Sequence, residues 1–299
     1  MNKFEACRFS IVIPCYNEAE FIGSTLKSIK LQDTKEKYEV IIVDNNCTDE
    51  TVAIARQYGA RIIEEQNPGV CCARQAGTIA ANGEIIISTD ADTIFRSNWL
   101  SNIDRSFKNN SKLVAIGGPC RYVDGPWWGK VYTYFLFTAV YLYYLLTGHP
   151  FYVTATNIAF KKSAWNGYDM TSMQGGDELD LLHRLKRKGR VGFTNLNSTY
   201  TSGRRLNKGL AYNIFVSFLF YYLGEYYINK LFKRTIIGSA PAFRGERSGG
   251  LLTKLGVGVV TCFLFVYITS ISTPTLRSFI SDNIENTSNA ALDLWRTLI

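Results

Sequence analysis

Residues 84–92 read Glu84-Ile85-Ile86-Ile87-Ser88-Thr89-Asp90-Ala91-Asp92, and this stretch decides how the chain folds. A short, unbroken apolar run suits a strand buried on both faces. It passes straight into two carboxylates separated by one residue. Upstream lie three more such runs: Phe9 to Ile13, stopped by Pro14; Val40 to Val43; and Ala60 to Ile63. Between them the apolar spacing changes to that of helices. Glu18 to Leu31 carries Phe21, Ile22, Leu26 and Ile29 on one face. Thr48 to Tyr58 is a helix whose start is favoured by Thr48 and Asp49, and Cys71 to Ala81 is a third. Strands alternating with helices predict an α/β domain, a Rossmann-like, mostly parallel sheet flanked by helices. Ligands of such sheets bind beyond the carboxyl ends of the strands. The polar clusters of this sequence fall at those ends.

Composition bounds the partners. The chain has 299 residues, 46% hydrophobic and 19% charged, so a packed core is available and disorder is not expected. Its net charge of +8 suits anionic partners. No recognition helix, zinc finger or repeated basic stripe points to nucleic acid, so a basic surface facing a membrane is the preferred reading. The seven cysteines form no CxxC pair, which suggests reduced thiols in a cytosolic compartment. Met1 to Ser10 is polar and charged, unlike a signal peptide.

The later sequence has a different character. Residues 126–152 form an aromatic, apolar insert within a catalytic domain expected over 1–205. Its core, Val131 to Thr147, is short for a membrane span and rich in tyrosine. It suits a water–lipid boundary or a buried helix equally. Leu210 to Leu223 is a second such stretch, within a basic, amphipathic, membrane-proximal region at 206–250. A transmembrane helix is expected at 251–273, centred on Gly256 to Ile271, and a polar tail at 274–299. Arg244, Arg247 and Lys254 lie on the N-terminal side of the Gly256 to Ile271 stretch. Their excess places the catalytic domain on the cytoplasmic side of the cell membrane.

Four acidic clusters carry the chemistry: Pro14 to Glu18, Val43 to Asp49, Asp90 to Asp92, and Gly176 to Leu181. Glu18 and Asp44, placed after strands, can accept hydrogen bonds from a nucleobase or ribose. Capping of the next helix explains Thr48 or Asp49 but not Asp44. Asp90 and Asp92 can share a hard divalent ion, Mg²⁺ or Mn²⁺, that leaves its other positions to phosphate oxygens. Glu178 or Asp177 can serve as general base toward an acceptor hydroxyl; compensation of a helix dipole is the plainer alternative. Arg204 and Arg205, in Thr201 to Arg205 after a strand-like run, are candidate contacts for a diphosphate or an acceptor, because guanidinium matches phosphate geometry. A basic loop beside a membrane explains them equally.

In order and spacing these clusters resemble the family 2 glycosyltransferases, which carry the GT-A fold. The resemblance covers roughly residues 8 to 205. Pro14-Cys15-Tyr16-Asn17-Glu18 is similar to that family's PxYNE opening, and Val43 to Asp49 to its second-strand motif. Asn67-Pro68-Gly69 through Ala73-Arg74-Gln75-Ala76-Gly77 is similar to its N-x-G…A-R-N-x-G segment. Gly83-Glu84 with Asp90-Ala91-Asp92 matches the approach to its DxD. Asn157 to Phe160 with Gly167 to Asp169 is similar to the segment before its acceptor site. Asp177-Glu178-Leu179-Asp180-Leu181 with Arg184, Leu185 and Gly189 is similar to its ED-x-D-L-x-x-R-L motif.

The resemblance implies an inverting transfer of sugar from a nucleotide-sugar donor. It implies that Tyr16, Glu18 and Asp44 hold the nucleoside, with Pro14 and Ala91 among the donor-binding positions, and that Arg74 serves the base or phosphates. Asp90 and Asp92 would engage ribose, metal and diphosphate. Glu178 would be the base, with Arg184 a further candidate at the diphosphate or acceptor. The acidic pair here is Asp-Glu where the family has Glu-Asp, which leaves Asp177 beside Glu178 as candidate. Gln75 replaces the common Asn, and no Q-x-x-R-W motif follows, which argues against a processive polysaccharide synthase. The acceptor expected is a saccharide, a polyprenyl-linked saccharide or polyprenyl phosphate at the membrane. Two other readings stay in view. A nucleotidyltransferase shares the carboxylates but needs a glycine-rich basic loop after the first strand. A non-catalytic, membrane-associated scaffold would have lost acidic clusters that are all present.

Overall fold

The computed structural model describes residues 7–168, 177–224 and 228–229. The expected alternation is there as β1 (Phe9–Cys15), α1 (Ala19–Lys30), β2 (Tyr38–Asp44), α2 (Thr51–Gln57), β3 (Arg61–Glu64), α3 (Val70–Ala80) and β4 (Ile85–Ser88). There follow β5 (Thr93–Phe95), α4 (Trp99–Asn109), β6 (Leu113–Gly117), β7 (Cys120–Tyr122), α5 (Trp127–Thr147), β8 (Ile158–Lys161), α6 (Asp177–Lys188), β9 (Arg190–Phe193) and β10 (Thr199–Thr201). A helix of π-type hydrogen bonding occupies Tyr212–Gly224.

Seven strands form the main sheet in the order β3-β2-β1-β4-β8-β6-β9. Pairing is parallel throughout except on both sides of β8, which runs antiparallel to β4 and to β6. The side chains alternate between two cores, as the two-residue period of a strand requires. Phe9, Ile11 and Ile13 of β1 join Ile85 and Ile87 of β4 against α1 and α4. Val12, Ile41, Val43 and Ile86 face the other way, toward α3 and α6. Each such isoleucine, fully withdrawn from water, contributes about 1.5–3 kcal/mol before chain entropy is counted. Gly77 sets the approach of α3: a methyl there would stand 2.4 Å from Val12 Cγ1 and 2.7 Å from Val43 Cγ2.

The sheet opens where the clusters lie. Pairing of β1 with β4 stops at Val12 and Ser88, while pairing with β2 continues to Cys15 and Asp44. Pro14, which lacks an N–H, therefore sits where one edge of β1 has already lost its neighbour. A second sheet, β5-β10-β7, begins immediately after Asp92. Three-residue strands carry no readable period, and of the three only the run before Thr201 is visible in the sequence.

The aromatic insert meets neither expectation in full. Helix α5 is 21 residues long and buries a narrow stripe of Gly129, Thr133, Phe137 and Val140. Phe137 lies against Phe193 and Tyr152, and Gly148 ends the helix in a left-handed turn. The remaining face, including Trp127, Tyr134, Phe135, Leu142, Leu145 and Leu146, is exposed. Among the described residues no helix is long and apolar enough to cross a membrane. The helix expected at 251–273 and the tail at 274–299 lie outside the described residues, as does most of the 206–250 region.

Candidate functional site

Two loops at the strand ends are knitted together first. Asn17, whose positive φ of 53° is one that asparagine tolerates, accepts hydrogen bonds through Oδ1 from Thr48 N at 2.6 Å and Asp49 N at 3.2 Å. This holds residues 45–49 as a loop and delays α2 to Thr51, later than spacing alone suggests. Asp49 Oδ1 accepts from Thr51 N at 3.0 Å, while its Oδ2 accepts from Ala19 N at 3.1 Å, so one carboxylate serves two helix starts. Asp44 accepts from Cys47 N at 2.8 Å, which spends one of its oxygens on the loop. Asn45 ties this loop to the next, donating to Glu65 O and Asn67 O and accepting from Gly69 N. A lone asparagine in a loop leaves no pattern that would reveal that role. Tyr16 stands at the rim, 48% exposed.

The carboxylates of the next strand end are each held twice. Asp90 Oδ1 accepts from the buried Arg74 guanidinium at 2.8 Å, and Oδ2 from Thr156 Oγ1 at 2.8 Å. Asp92 Oδ1 accepts from Thr201 Oγ1 at 2.8 Å, and Oδ2 lies 3.3 Å from Arg204. Arg204 also donates to both oxygens of Glu18, at 2.8 and 2.9 Å, with its guanidinium 4.6 Å from the centre of the Phe21 ring. Thus Glu18, Arg74, Asp90, Asp92 and Arg204 meet in one place. Burial, with Asp90 alongside, pushes the Asp92 carboxyl up to about 6, although Arg204 and Thr201 pull the other way. Burial also raises the Cys15 thiol, helped by the charges of Cys47, Glu18, Asp44 and Asp90. Those carboxylates therefore surround the end of β1. Ala91 lies buried between the two aspartates, its carbonyl accepting from Thr25 Oγ1.

The donor set fits a hard cation. It offers the carboxylate oxygens of Asp90 and Asp92, two like charges one residue apart at a strand end, and oxygen ligands are what such a cation prefers. Among the described residues no three acidic, histidine or cysteine side chains are gathered closely enough to enclose a metal. Two carboxylates, with water and phosphate completing the sphere, are the arrangement Mg²⁺ and Mn²⁺ accept.

The second half of the candidate set is placed differently. Asp177 opens α6, but its side chain lies outside the described residues. Glu178 follows on the first turn, and its charge acts on the half-buried Tyr152, whose phenol is raised first by burial and then by that carboxylate. Arg184 pairs with Asp180 one turn earlier on its own helix, at 2.5 Å. Arg205 is exposed, next to the half-buried Arg204. Thr156 was missed in the sequence because a lone threonine in a loop carries no pattern. Thr201 was visible as a neighbour of Arg204.

Residues 10–167 match the family model described as Glycosyl transferase family 2. An uncharacterized glycosyltransferase of Mycobacterium tuberculosis is 33% identical over 127 residues, which is 42% of this chain and 55% of the relative. A dolichyl-phosphate hexose transferase of Haloferax volcanii is 33% identical over 100 residues, 33% of this chain and 43% of that protein. The chain spans about half the length of the first of these relatives. Among solved structures, the mannosyltransferase PcManGT of Pyrobaculum calidifontis, in complex with GDP-Man and Mn²⁺, shares the fold. Its TM-score is 0.54 at 16% identity, covering 97% of this chain and 81% of that one.

Proposed function

The chain belongs to glycosyl transferase family 2, and from that premise we propose that it is an inverting enzyme taking sugar from a nucleotide-diphosphate sugar to a hydroxyl or lipid-phosphate acceptor at a membrane surface. The observation that carries this reading is the convergence of Glu18, Arg74, Asp90, Asp92 and Arg204 beyond the ends of β1 and β4. Tyr16, Glu18 and Asp44 would hold the nucleoside, with Pro14 beside them near the end of β1. Asp90 and Asp92 would hold Mg²⁺ or Mn²⁺, which supplies charge neutralisation to a departing diphosphate. Arg204, and Arg74 behind Asp90, add fixed positive charge on the same side. Glu178 removes the proton of an acceptor hydroxyl as its oxygen attacks the anomeric carbon and the bond to the diphosphate breaks. A lipid phosphate, already ionised, needs no such base.

Support for the membrane comes from α5, whose exposed aromatic face contains Lys130 and no acidic residue, and from the net charge of +8. The catalytic domain then faces the cytoplasm. The test is a panel of nucleotide sugars with Mn²⁺ or Mg²⁺ and released nucleoside diphosphate as readout. Release from one donor, lost in Asp92→Ala, supports the reading. Absence of release and of nucleotide binding across the panel refutes it.

A further inference from the structure

Asp124 lies outside the cluster just described, yet the approach of Arg204 depends on it. Strands β7 and β10 run parallel, with Tyr122 opposite Thr201, and Val123 N donates to Thr201 O at 3.0 Å. The two segments thus leave the small sheet side by side. Asp124 Oδ2 accepts from Ser202 Oγ at 3.0 Å, and its Oδ1 accepts from Gly203 N. Ser202 Oγ accepts in turn from Arg204 N at 3.3 Å. A side chain at residue 203 would not allow this contact, since a Cβ there would stand 2.6 Å from the Asp124 carbonyl oxygen.

We propose that Asp124 is a positioning residue that sets the Ser202–Gly203 turn so that the Arg204 guanidinium is delivered to Glu18 and Asp92, ready for the donor's diphosphate. This rests on the nucleotide-sugar reading above. A guanidinium on a long side chain loses rotamer freedom when it binds, and a fixed backbone lessens that loss. Asp124 acts through Ser202 and the backbone. Arg204 touches the pocket and Asp124 holds the ground from which it reaches. The same lock extends into α5, because Leu206, just past Arg204, packs on Gly129, where a methyl would meet its Cδ1.

The experiment is calorimetric titration of the full-length protein with UDP and GDP in the presence of Mn²⁺. Asp124→Ala is expected to weaken binding about tenfold, the scale of one charge-assisted hydrogen bond. Asp124→Asn keeps an acceptor oxygen and is expected to stay within about threefold of wild type. In an Arg204→Ala background, Asp124→Ala is expected to add little, because the residue it positions is already gone. Undiminished binding in Asp124→Ala overturns the proposal, as does an equal loss in both backgrounds. Should Asp124→Ala not fold, Ser202→Ala reads the same path, and unchanged binding there overturns it. If wild type binds neither UDP nor GDP, the titration uses the nucleoside diphosphate released in the donor panel, and if none binds, the donor reading itself fails and this proposal falls with it.

Discussion

Arg204 and Glu18 are 186 residues apart in the chain, yet one guanidinium nitrogen donates to both oxygens of that carboxylate. The contact joins the first loop of the main sheet to the last turn after the small one. Arg204→Ala is expected to lower kcat/KM for transfer by about a hundredfold, the cost of stripping one partner from a partly buried charge pair. Arg204→Lys should recover part of it, since a single guanidinium nitrogen makes all three carboxylate contacts and an ammonium can supply that charge. Steady-state kinetics of diphosphate release checks both.

Asp92→Asn is expected to reduce turnover by at least about a thousandfold, and chelation of divalent ions should do the same to the wild-type enzyme. Added Mn²⁺ should restore the chelated wild type and leave the variant inactive. Activity that survives chelation would remove the cation from the account.

Glu178→Gln should cost about a hundredfold or more in transfer to a hydroxyl acceptor while nucleotide affinity changes little. Asp177→Asn should cost less. The reverse ranking, measured in the same assay, would assign the base to Asp177. A lipid-phosphate acceptor would make both variants mild.

What could be read in the sequence follows a physical divide. The four parallel strands and three helices of the first ninety residues or so are visible because long apolar runs and helical spacing are repeated signals. The carboxylates at their ends are visible for the same reason. The antiparallel β8 and strands β5 and β7 of the small sheet arise from pairing between distant segments and leave no local trace. Thr156 and Asp124 became legible only once folding brought them to Asp90 and Gly203. The α2 start was misplaced because Asn17, a residue of another loop, holds the preceding turn open.

Gly77→Ala places a methyl against Val12 and Val43 where α3 lies on the sheet. A loss of about 1–3 kcal/mol in unfolding free energy is expected from such overpacking. Denaturant titration measures it. Pairing the change with Val12→Ala should recover part of the loss, as the two sites share one contact.

Alkaline pH should destabilise the fold. Burial pushes the Cys120 thiol up to about 12 and the Cys47 thiol up to about 11, against 9.0 for an ordinary thiol. In that window the folded chain keeps protons that the unfolded chain has released. The thiols' contribution to stability is therefore full below pH 9.0 and is lost as pH rises toward about 11 for Cys47 and about 12 for Cys120. Tm followed across that window should decline, and less steeply in Cys120→Ala.

Because Val123 is bonded to Thr201 and Leu206 is seated on Gly129, the aromatic helix cannot be exchanged alone. An engineer grafting α5 from another member of the family has to carry residues 199–206 with it, or the chimera will inherit an aromatic helix from one parent and an ill-fitting arginine from the other.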